Sequence, residues 1–208
     1  MNRKFCTVAI GLAIAAFSGL ANAQFSLPSV PGMGGGSAKT SSVSAESLVK
    51  NYVVGTKLVM NSNAKFFAAL GLKDKAAEQE LQANKLTEGA TSSGLEDAAK
   101  VQTESSKALA DEMNSKQVVF TAEGKKTYAL GVLDLVSGIK SYIGMASDVK
   151  SFKPSVTSLG ASAGAAIYVA KSLPNDITNL KDTLARSIAF AKANKIELPA
   201  DATSALPG

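Results

Sequence analysis

The stretch TYALGVLDLVSGIKSYIGMA, residues 127–146, decides the fold. At about 100° per residue, Val132, Val136, Ile139, Ile143 and Ala146 fall on one stripe of a helix. Tyr128, Gly131, Leu135, Gly138, Tyr142 and Met145 fall on the stripe beside it, leaving a narrow strip with Asp134, Ser137, Ser141 and Asp148 for water. A helix apolar over so much of its circumference belongs at the centre of a bundle. Thr121 is its expected cap, and it runs from about Ala122 to Lys150.

Upstream, Ala45, Leu48, Val49, Tyr52, Val53, Val59, Met60, Phe66, Phe67 and Leu70 form a broad amphipathic stripe. A helix is expected there from Ser44, with Gly71 as a left-handed C-cap. Two polar helices follow, Asp74 to Glu88 and one starting at Ser93, where Ser93 and Glu96 read as a capping box. With mainly alanines and Leu81, Leu86, Leu95 and Leu109 to bury, they are expected to pair as a thin hairpin at the edge. Downstream, Pro154 opens an expected fifth helix to Lys171, rich in small residues. A sixth starts at Asn175 and Asp176, carries Ile177, Leu180, Leu184, Ile188 and Ala191 on one face, and ends near Asn194 as a left-handed cap.

The fold class is therefore all-α, a single bundle of about six helices with the first, fourth, fifth and sixth in its core. The bundle domain covers residues 43–194. Residues 24–42 read as a flexible leader, with Pro28, Pro31 and Gly34-Gly35-Gly36, and residues 195–208 as a loose tail with Pro199 and Pro207.

Residues 1–23 read as a signal peptide: Arg3 and Lys4, an apolar run from Val8 to Leu20, then Ala21-Asn22-Ala23 as the cleavage site. The run is shorter than the roughly 20 residues of a membrane-spanning helix, so no stable transmembrane segment is expected once it is cleaved after Ala23. The expected location is the periplasm. Cleavage also removes Cys6, the only cysteine, and the chain has no histidine. No disulfide, thiolate ligand or imidazole base is then available. The net charge of +5 falls by two with Arg3 and Lys4, and Arg186 is the one arginine left. Scattered lysines without arginine clusters exclude nucleic acid as the expected partner.

Motifs for catalysis and cofactors fail one by one. Gly160-Ala161-Ser162-Ala163-Gly164 matches the G-x-S-x-G elbow, but without histidine or alternating strands it reads as a small-residue helix. Serine–lysine spacing occurs at Ser47/Lys50, Ser62/Lys65, Ser137/Lys140 and Ser147/Lys150, as expected in a chain rich in both, and S-D-N and K-T-G companions are missing. A Ser-Lys hydrolase is the third-ranked reading. Glu78/Glu80, Glu96/Asp97 and Asp111/Glu112 lie on polar helices and read as solubilising. Lys125-Lys126-Thr127 lacks the upstream glycine of a phosphate loop. No metal site, cofactor or catalytic residue is expected.

One feature resists dismissal. Tyr128, Gly131, Leu135, Gly138 and Tyr142 share a face, and Gly160 and Gly164 give the next helix a small-x-x-x-small pattern. Such a face serves close helix packing or, if the glycines leave space under aromatic rims, a groove for a lipid or other hydrophobic ligand. Entry of this hairpin into a membrane is opposed by Asp134 and Lys140. The leading expectation is a non-enzymatic structural or interaction protein, binding another envelope protein or itself. A carrier or sensor of a hydrophobic small molecule is the alternative.

Overall fold

The structure is a computed structural model that describes residues 43–115, 118–153 and 162–203. Among the described residues six helices follow in order: α1 (Ala45–Ala69), α2 (Lys73–Lys85), α3 (Ser92–Ser115), α4 (Ala122–Ser151), α5 (Ala163–Ala193) and α6 (Ala200–Thr203). Among the described residues there is no strand. The fold is all-α. The signal peptide, the leader, the expected start at Pro154, Gly160 and residues 204–208 lie outside the described residues.

The helices start and stop for local reasons. Ser44 Oγ accepts from Ser47 N at 3.1 Å and Thr121 Oγ1 from Gly124 N at 2.9 Å, each satisfying a first-turn donor of α1 or α4. At the end of α1, Gly71 takes φ +81°, and Leu72 N bonds Phe67 O at 2.8 Å. That left-handed turn returns the chain into α2.

α1 and α4 pack on each other most extensively and lie at the centre. Gly55 meets Tyr142, Val59 meets Gly138 and Phe66 meets Gly131, so α4 runs antiparallel to α1. Tyr128, at the start of α4, reaches Ser187 near the end of α5, while Tyr52 of α1 reaches Asp176, so α5 is antiparallel to α4 and parallel to α1. The core is formed by Leu48, Val49, Met60, Phe66, Leu135, Leu173, Leu180 and Leu184, all at most 2% exposed, with Tyr128 and Tyr142 fully buried.

Several sequence expectations need correction. The expected fifth and sixth helices are one helix, α5, with Pro174 in its interior. A proline there lacks an N–H and crowds the carbonyl four residues back. The helix continues because Pro174 sits on the exposed side while one buried stripe, Ala166, Val169, Leu173, Leu180 and Leu184, crosses it uninterrupted. Thr178 Oγ1 bonds Pro174 O at 3.1 Å just beyond. Tertiary burial outweighs the local break.

The expected hairpin of the two polar helices does not form. α2 packs on α1, whereas α3 packs on α5 and α1. Leu95, Ala98, Ser105 and Leu109 give α3 a continuous buried stripe of its own, while α2 buries only Ala76, Gln79, Ala83 and, just past its end, Leu86. Leu81 is 54% exposed. The cap of α3 is Thr91, whose Oγ1 accepts from Gly94 N at 3.2 Å, in place of Ser93. On α4, Ile143 is 47% exposed although its stripe reads as apolar. The left-handed residue after α5 is Lys195, at φ 53°, one position beyond Asn194. Among its described residues the C-terminal tail carries the four-residue α6, with Ile196 and Ala202 buried.

Candidate functional site

The glycine–tyrosine face of α4 is the first candidate, and α1 fills it. A Cβ at Gly131 would stand 2.9 Å from Phe66 Cδ1, and one at Gly138 would stand 2.8 Å from Val59 Cγ2 and 3.3 Å from Gly55 O. On α1 a Cβ at Gly55 would meet Tyr142 Cε1 at 2.4 Å. Three glycines on two helices thus let the backbones approach until aromatic and β-branched side chains occupy the missing methyl positions. Tyr128, Leu135 and Tyr142 are fully buried between the helices. Gly164 is exposed, and a Cβ there would stand 3.7 Å from Ser92 Oγ.

Tyr128 ends this face in an aromatic cluster, with Phe66 at 4.7 Å, Phe190 at 5.6 Å and Phe120 at 6.0 Å between ring centroids. Its hydroxyl donates to Ser187 O at 3.1 Å. Burial pushes that hydroxyl well above the usual phenol range, with the bond to Ser187 opposing.

Around Tyr142 a second group assembles that the sequence did not single out. Tyr52 stacks on Tyr142 at 5.0 Å with ring planes 5° apart, and Tyr168 meets Tyr52 edge-on at 6.4 Å. Tyr52 OH donates to Asp176 Oδ2 at 2.8 Å. Thr56 Oγ1 gives its single hydrogen to Tyr52 O at 2.9 Å, so in the 2.7 Å contact between Thr56 and Tyr142 the tyrosine is the donor. Burial first, then Tyr142 and Asp176, raises the Tyr52 hydroxyl far beyond the usual range. Tyr142 is raised by burial as well. Both remain protonated donors at any physiological pH. Burial raises Asp176 too, outweighing the hydrogen bond from Tyr52 and the nearby Ser172 hydroxyl. Ser172 Oγ is itself buried without a hydrogen bond of full geometry.

This cluster orders three helices about one carboxylate and offers little chemistry. Its sequence signal was weak: Tyr52 lies on an apolar stripe, and reading a break at Pro174 turned Asp176 into a helix start.

Other functional readings can be placed. Ser62 Oγ is buried while Lys65 pairs with Asp134, and Ser137 Oγ bonds back to Leu133 O at 2.9 Å. Lys50 pairs with Glu88 at 3.0 Å. Ser162 precedes α5 and makes no side-chain cap bond. Among the described residues no three His, Cys, Asp or Glu side chains converge as a metal site. A depression of about 380 Å³ between α3 and α5 is lined by Glu96, Ala99, Lys100, Thr103, Glu104 and Tyr168 and lies open to solvent. A cavity of about 20 Å³ beside Leu109, Met113 and Ser187 is the size of one water. α4 is long and apolar enough to cross a membrane by length and composition, and it is packed along α1 and α5 inside the bundle.

No protein-family model, curated protein or solved structure matches the chain.

Proposed function

We propose that this is a non-catalytic protein of the cell envelope that works through its surface, by contact with another envelope protein or with a second copy of itself. The observation that carries this reading is the filling of the glycine face: where a slender ligand would lie against α4, Phe66 and Val59 of α1 already lie. The tyrosine hydroxyls nearby are spent on Asp176, Thr56 and Ser187, which leaves them holding helices together. Exposed apolar side chains offer contact area instead. Val54 of α1 and Ile143 of α4 are 46% and 47% exposed, each next in sequence to a residue of the Gly55–Tyr142 contact. Export rests on Arg3, Lys4, the apolar run and Ala21-Asn22-Ala23.

The reading is tested in cells by a photo-crosslinking residue placed at Val54 or Ile143, with exposed Thr178 on α5 as control. The expected result is a discrete adduct from at least one of the two positions and none from Thr178, in protein that begins at Gln24 and fractionates with the periplasm. No adduct from either position, or the same adducts from all three, would remove the surface role.

A further inference from the structure

α3 is held to the bundle differently from its neighbours. The polar ties Tyr52–Asp176, Thr56–Tyr142, Lys65–Asp134 and Tyr128–Ser187 all run among α1, α4 and α5. α1 and α4 also interlock through Gly55, Gly131 and Gly138, whose missing methyl positions are filled from the facing helix. None of these joins includes a residue of α3. Toward α3 the Tyr128 hydroxyl makes a long contact of 3.9 Å with Met113 Sδ. Over its 24 residues α3 buries Leu95, Ala98, Ser105 and Leu109, with Val101 and Met113 half-buried, so Leu95 and Leu109 are its two large apolar side chains fully out of water. Burial drives packing in proportion to the apolar area hidden, and α3 hides little.

Its packing is also incomplete along the whole of α5. A Cβ at Gly164 would stand 3.7 Å from Ser92 Oγ at one end, and at the other Leu109 and Met113 share a cavity with Thr183 and Ser187. α3 therefore runs parallel to α5. The open depression of about 380 Å³ between Glu96, Glu104 and Tyr168 and the cavity of about 20 Å³ beside Ser187 lie on this one interface. Side chains that line a void forgo the contacts that a filled one would give. Before α3 the chain turns at Gly89, which is exposed with nothing near it and supplies slack.

We propose that α3 is a detachable cover, which lifts from α5 and α1 as one unit while α1, α4 and α5 stay packed. Sub-global opening of this kind belongs to the elements with the least buried apolar contact. The lifted state bares a face of α5 from Tyr168 to Ser187. It keeps the Tyr52–Asp176 and Tyr128–Ser187 bonds, because both are made without α3. Val54 and Ile143 lie on helices that do not move, so the cover does not depend on a partner bound there.

Native-state hydrogen exchange of the whole mature chain, resolved by residue, tests the cover. The amides between Leu95 and Leu109 are expected to share one opening and to exchange at least about a hundredfold faster than the slowest amides of α1 and α4. Val132→Ala, in the core of α4, separates the two kinds of opening. It is expected to speed the slowest α1 and α4 amides about tenfold or more and to leave the α3 rates unchanged, since Val132 stays packed when α3 lifts. α3 amides as slow as those of α1 and α4, or speeded by Val132→Ala by the same factor, would overturn the proposal: α3 would then open only with the whole fold.

Discussion

The ring of Tyr142 on α4 occupies the place where residue 55 of α1 would carry its side chain: a Cβ at Gly55 would stand 2.4 Å from Cε1 and 2.5 Å from Cδ1. The same ring stacks on Tyr52 and its hydroxyl is bound to Thr56, so it cannot swing aside without breaking both. Gly55→Ala is therefore expected to destabilise the fold by about 1–3 kcal/mol, the usual cost of overpacking a dense core. Urea melts followed by circular dichroism measure it. Gly71→Ala is a useful comparison, because its cost comes from φ +81° with open space around the position.

Asp176 gives the fold a pH dependence of defined sign. Its folded-state value is raised above the usual 3.8, chiefly by burial. The folded state therefore holds the proton more tightly than the unfolded one. Its stabilising contribution is complete below 3.8 and is lost as pH rises through the raised value. Asp176→Asn keeps an oxygen acceptor for Tyr52 and stays neutral throughout. The variant is expected to gain stability over the native chain as pH rises from 3 to 7, and then to level off. Tm measured across that range checks it, and a gap that shrinks toward neutral pH would contradict the burial argument.

Pro174 marks the boundary between what was readable and what was not. The apolar stripes of α1 and α4, the Ser44 and Thr121 caps and the Gly71 turn were legible because periodicity and capping chemistry are local. The continuity of α5 was not, since it depends on which side of the helix Pro174 faces. The same proline also masks, in the sequence, the Tyr52–Asp176 bond, which spans 124 positions. The pairing of α2 with α1 instead of α3 was equally hidden, because alanine-rich faces fit many partners. The glycine face itself was visible as a pattern, but only its neighbours Phe66, Val59 and Gly55 tell whether a glycine is a spacer or a gap.

Pro174→Ala restores an N–H to the interior of α5 at an exposed position. It is expected to stabilise the chain by about 1–3 kcal/mol, the helix gain exceeding the entropy returned to the unfolded state. Chemical denaturation is the readout. A loss of stability would mean that a bend at Pro174 is required for Leu173 and Leu180 to pack.

The central claim is that the Tyr128–Tyr142 face of α4 is filled by α1 and holds no ligand. Mass spectrometry of an organic extract of the protein purified from its own cells tests this most directly, with Gly138→Leu alongside. The account predicts no stoichiometric lipid in the native extract and a variant that loses its cooperative thermal transition, since a Cβ at 138 already meets Val59 at 2.8 Å. One equivalent of a lipid or other hydrophobic molecule in the native protein, absent from a Gly138→Leu variant that melts normally, would contradict it.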